Sequence, residues 1–235
     1  MDYENFSSLE EAKRVFHIQI SDQEPLFGHI KSCHVGEFLN TLFKDFGSLT
    51  HKVGKNRELS ELIIAPILIQ VRNIIGYGVC LLSDVEFDVD PSRGLTGECD
   101  YLFIRSEESF LITRPILPIA VAEARPQAVH RSFPRCIAQM VAAQLHNRME
   151  GTDVKRVYGC ITTGTVWKFL LLENARVMID RDDYYIDDLG KILAIFVDMI
   201  HVSSPDILSK SRIESQLDCQ KRQRRINEPI NISSI

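Results

Sequence analysis

The stretch LPIAVAEARPQ, Leu117 to Gln127, sets Glu123 and Arg125 two residues apart at the end of an apolar run. On a strand, residues two apart leave the same face, so this acid and base share one surface while Ala122 and Ala124 point the other way. An antiparallel neighbour carrying Asp100, from GECDYLF, would bring a second carboxylate beside Glu123. Two carboxylates on adjacent strands can hold a hard divalent ion such as magnesium through oxygen. Such an ion polarises a phosphate and acidifies bound water. The competing reading of Glu123 and Arg125 is a structural ion pair at a strand end.

Other residue types with chemical potential have plainer readings. His29, Cys33 and His34 lie close together but lack the second ligand pair that a closed zinc site needs. Cys136 belongs to the apolar face of a helix, where a thiol acts as a small hydrophobe. Asp84, Glu86, Asp88 and Asp90 alternate with Val85, Phe87 and Val89, which is the pattern of a strand with one wet face.

The elements that must position the acids follow from the same patterns. Ser8 followed by Glu11 is a capping-box signature and starts a helix near Leu9. HVGEFLNTLFKDFG reads as a second helix stopped by Gly47. Residues 1–55 are therefore expected to form an N-terminal helical accessory layer. ELSELIIAPILIQVRNII, from Glu58, reads as a helix in which Pro66 either bends the axis or marks the true first turn. SDVEFDVD, GECDYLFIR and ILPIAVAEA follow as three strands, most simply antiparallel. PRCIAQMVAAQLHNRME is a helix with Pro134 near its start. KRVYGCITTGTVWKFLLLE reads as two strands around Thr163 and Gly164, and DDLGKILAIFVDMIHV as a closing helix. The expected fold is an α/β core over residues 56–205, followed by a basic, polar extension over 206–235 that clusters Lys221, Arg222, Arg224 and Arg225.

Composition limits the partners. The formal net charge is -5 over 235 residues, so any polyanion must be held by a local basic patch or by metal ions. The six cysteines are scattered without CxxC spacing, and the acidic start MDYENFSSLEE lacks the features of a signal peptide. No apolar run approaches the ~20 residues of a membrane span. A cytoplasmic protein outside the membrane is the expectation.

The element order of helix, three strands, helix and strand, with Asp on the second strand and Glu-x-base on the third, resembles the PD-(D/E)XK nuclease superfamily. GECDYLF, PIAVAEAR, CIAQMVAAQLHN and VYGCITTGTVWKFLLLE look like an uncharacterised, largely cyanobacterial group assigned to it. The resemblance covers Glu58 to His201 and implies a restriction-endonuclease-like core that hydrolyses phosphodiester bonds of DNA or another nucleic acid. It further implies magnesium or manganese held by Asp100, Glu123 and the carbonyl of Ala124, with Arg125 at the attacking water and Glu61 as an auxiliary acid. Arg135, Gln139, Trp167 and Lys168 are the accompanying candidates for nucleic-acid contacts.

Two positions depart from the family pattern. Arg125 stands where relatives carry Lys, and Arg135 where they often carry Gln. Arginine keeps the positive charge but removes any proton-transfer role. The alternative is thus a catalytically degraded relative that binds nucleic acid or protein, with a homodimer among the expected partners.

Overall fold

The computed structural model describes residues 2–46, 60–76, 78–105, 114–121, 126–152 and 154–203. These build a mixed α/β structure around one sheet. The strands are β1 (Gln19–Ser21), β2 (Val79–Glu86), β3 (Glu98–Arg105), β4 (Arg114–Val121), β5 (Arg156–Thr162), β6 (Val166–Glu173), β7 (Arg176–Ile179) and β8 (Tyr184–Tyr185). Their order across the sheet is β1-β7-β6-β5-β4-β3-β2, with β8 on β6.

The expected three-strand unit is present, with β2 antiparallel to β3 and β3 antiparallel to β4. The next strand, β5, runs parallel to β4. A parallel pair requires a crossover, and here it is a single long helix, Pro126–Met149. The described helices, in chain order, are α1 (Leu9–Phe16), α2 (Glu37–Phe46), α3 (Ala65–Ile75), α4 (Pro126–Met149) and α5 (Leu189–Ser203). None is long and apolar enough to cross a membrane.

Two cores sandwich the sheet. One packs α3 and α5 against Phe103, Trp167 and Phe169, and the other packs α1 and α4 against Leu102, Ile161 and Leu170. Neighbouring residues of one strand therefore serve opposite cores, as the period of two requires. Gly159 marks the closest approach of α4 to the sheet. A Cβ there would lie 2.5 Å from Met140 Sδ and 2.9 Å from Cys136 Sγ.

Local signals explain most boundaries. Ser8 caps α1 by accepting from Glu11 N, while Glu11 accepts in return from Ser7 N and Oγ rather than from Ser8 N. Pro66 fills the first turn of α3, where its missing N–H costs nothing, and a π-helical turn, Ser60–Ile64, precedes it. The first-turn reading of that proline thus holds.

Three boundaries differ from expectation. Strand β2 begins at Val79 instead of near Ser83, and the acidic run continues past its end into a turn. Asp88 Oδ1 accepts from Gly97 N at 2.8 Å, and Asp90 caps the short 3-10 turn Pro91–Arg93. Helix α4 starts at Pro126, eight residues before Pro134. The N-terminal region, expected as helices alone, also supplies β1, which pairs in parallel with β7. Residues 206–235 lie outside the described residues.

Candidate functional site

Pairing of β3 with β4 runs from Arg105↔Arg114 to Tyr101↔Ile119, while β4 continues along β5 to Val121↔Thr162. Asp100 is the residue just past the last β3–β4 pair. On its other side, β2 pairs Ser83 with Tyr101 and Val85 with Cys99, and Asp84 between them adopts φ 48°. No residue is inserted, because the register is the same on both sides.

The side chains nevertheless change face there. Cys99 and Leu102, three apart, both pack on the α4 side, as do Val85 and Leu82, whereas strict alternation would separate each pair. A left-handed residue in mid-strand turns the chain enough to produce this reversal, and Asp is among the few side chains that tolerate it. Asp84 and Asp100 therefore flank a local break in both strands.

Tyr101 sits at the centre of this break. Its hydroxyl lies 2.6 Å from Ser60 Oγ in the π-helical turn ahead of α3. Burial pushes the phenol pKa up, the Ser60 hydrogen bond opposes that, and Asp84, Asp100 and Glu61 push it further up. Three carboxylates from three elements thus converge in electrostatic reach of one hydroxyl. Their approach is loose: among the described residues no group of three or more His, Cys, Asp or Glu side chains is placed to hold a metal ion.

Arg135, on α4, supplies the counter-charge. One of its terminal nitrogens is 3.3 Å from Asp100 Oδ2, and the other is 3.6 Å from Glu4 Oε1. The first nitrogen also donates to Glu98 O at 3.3 Å, and Gln139, one helical turn on, donates to the same carbonyl at 3.2 Å. Arg135 Nε and Gln139 Oε1 are buried with no hydrogen-bond partner among the described residues. α4 thus clamps the start of β3 with two polar side chains at i and i+4.

The other sequence-derived candidates distribute as follows. Asp100 and Glu61 share the surroundings of Tyr101, Asp100 half-buried and Glu61 exposed. Glu123, Ala124 and Arg125 lie outside the described residues. Trp167 is not a stacking platform. Its ring is fully buried in the core, and its Nε1 donates to Gly164 O at 3.1 Å. Gln139 is equally sealed at 0% exposure. Lys168 is taken up by Asp183 Oδ1 at 2.7 Å and by the carbonyls of Arg181 and Asp182. Trp167 and Gln139 are therefore corrected from nucleic-acid contacts to internal structural groups, while Lys168 stays at the surface in its pairing with Asp183. The i, i+4 pair and burial explain them as sequence alone did not.

Two features of the site escaped the sequence: the left-handed Asp84 and the Ser60–Tyr101 contact. Neither left a distinct signal, because Asp84 reads in the sequence as one more acid of the alternating wet face. His29, Cys33 and His34 form no metal cluster among the described residues, and burial raises the Cys33 thiol to about 11. The apolar-face reading of Cys136 agrees with its full burial, which pushes its thiol up to about 12. No protein-family model and no curated protein matches the chain.

Proposed function

We propose that the chain is a metal-dependent phosphodiester hydrolase acting on nucleic acid, built on the restriction-endonuclease-like plan that its sequence resembles. One observation supports this most. Helix α3, the antiparallel β2–β3–β4 unit, crossover helix α4 and parallel β5 follow one another in the order of that plan. Asp100 falls where the β3–β4 pairing ends.

Asp100, with Glu123 and the carbonyl of Ala124, would hold the ion. The donor set is hard oxygen, and magnesium is commonly bound by one or two carboxylates while keeping several waters. This suits a half-buried Asp100. When bound, the ion supplies Lewis-acid polarisation of the phosphate and a more acidic water. Arg125 would contribute fixed positive charge at the phosphate, and Tyr101 with Ser60 positions the turn that carries Glu61.

The Arg135–Asp100 ion pair favours a second reading, a catalytically silent nucleic-acid-binding descendant. A guanidinium already neutralises the carboxylate that a metal would need. A cleavage assay on single- and double-stranded DNA and RNA with manganese separates the two, using the chain, Asp100→Asn, Arg125→Lys and Arg135→Gln. The hydrolase reading expects cleavage by the chain that Asp100→Asn abolishes. Cleavage confined to Arg125→Lys or Arg135→Gln would establish the silent descendant. Absence of cleavage throughout would sink the hydrolase reading.

A further inference from the structure

Where the end of α1, the turn after β2, the last turns of α4 and the β6–β7 turn meet, they leave a cavity of about 260 Å3. Among the described residues, Arg93 and Arg148 are its charged lining residues and no Asp or Glu lines it. In a chain of net charge -5, two guanidinium groups share one small cavity without a carboxylate. Neither takes part in an ion pair among the described residues. The nearby acid, Asp90, accepts from Ser92 N and Oγ at 3.1 and 2.6 Å, and its carboxyl is held below the ordinary value first by the Ser92 hydroxyl and in smaller part by the Arg93 charge.

The rest of the wall adds an amide side chain and an apolar floor. Gln144 lines the cavity at 7% exposure. Phe16, Val141 and Leu145 supply apolar surface, and the Arg93 guanidinium lies 5.7 Å from the Phe16 ring centroid, which helps to fix its direction.

We propose that this cavity binds a small oxyanion, carboxylate or phosphate, carrying a short apolar body. Each guanidinium presents a planar fork of donors that matches oxyanion geometry. The repulsion between them falls when an anion sits between. The cavity is smaller than the ~300–1,000 Å3 typical of drug-sized ligands, so the occupant is metabolite-sized. The site is separate from Asp100: Arg148 follows Arg135 by 13 residues on α4, about 20 Å along the axis. It stands or falls independently of hydrolysis.

Calorimetric titration of the full chain with inorganic phosphate and with benzoate, at constant ionic strength set by sodium chloride, tests the proposal. The expected result is saturable one-site binding of benzoate, with phosphate weaker. Arg148→Ala and Arg93→Ala should each lower affinity about tenfold, and the double variant should show no binding while its circular dichroism is unchanged. Arg156→Ala, which removes the Glu173 pairing and a contact with Tyr158 but touches no residue lining the cavity, should bind like the parent. Absence of saturable binding by either probe would overturn the site, as would undiminished binding in the double variant. Binding of phosphate but not benzoate would overturn the apolar-body assignment.

Discussion

Around Trp167, the sheet is held by rings; around Asp100, it is held by charges. Phe196 of α5 packs edge-on against Trp167 at 5.7 Å and Phe169 at 5.3 Å between ring centroids, in a fully buried cluster. Asp100 is half-buried and ion-paired to Arg135, beside a left-handed Asp84, a π-helical turn, and two polar atoms without partners among the described residues. The aromatic region obeys every local rule of strand and core. The acidic region breaks several at one place, and such breaks concentrate where a structure has work to do.

The largest expected effect tests the aromatic side. Phe196→Ala removes a fully buried ring with edge-on partners and should lower unfolding free energy by about 3–5 kcal/mol in urea denaturation. Arg135→Gln, at the acidic end, should change it by less than about 1 kcal/mol, because the pair is partly exposed to solvent. Equal losses would erase the distinction between the two regions.

Alkaline pH probes the seam between them. Burial raises the Cys99 and Cys136 thiols to about 12, with Asp100 adding to both and Arg135 opposing. The folded chain keeps these protons where the unfolded chain, near the ordinary value of about 9, gives them up. Stability from the neutral thiols is full below pH 9 and falls as pH rises toward 12. The expected slope is roughly 1 kcal/mol per pH unit for each thiol. Thermal midpoints measured from pH 8 to 10.5 should hold steady and then fall, with a shallower fall in Cys99→Ala. A fall of the same steepness in that variant would remove Cys99 from the seam.

How much of this was readable in the chain follows the same division. The β5–β6 hairpin, buried on both faces, is legible as two apolar runs around Thr163 and Gly164, and helices α1, α3 and α5 carry clear periodicity because one set of apolar neighbours decides each face. The start of β2 does not. Val79 and Leu81 face one core while Cys80 and Leu82 face the other, so the run shows no alternation and only the later, wetter residues look like a strand. Strands β1 and β7, three and four residues long, are too short to show a period; β1 is set by its pairing with β7 across the chain, and β7 also by its antiparallel pairing with β6. Asp100 was found by residue type and element order, while its partner Arg135 was read as a departure. An ion pair between a helix and a strand that lie 35 positions apart leaves no local mark.

The smallest expected effect bears most directly on why the acidic end is irregular. If Asp84 holds φ 48° because the face reversal demands it, removing the side chain should relieve backbone strain. Asp84→Gly is then expected to be as stable as the parent or better by up to about 0.5 kcal/mol, since glycine adopts the left-handed region freely but loses more chain entropy on folding. Asp84→Val, a stiff β-branched residue suited to a regular strand, should lose about 1–2 kcal/mol at the same position. Urea midpoints of the two variants, of opposite sign, would tie the reversal to the backbone. A valine variant as stable as the parent would mean that β2 can run straight past Asp100, so that the break between Asp84 and Asp100 is not built into the fold.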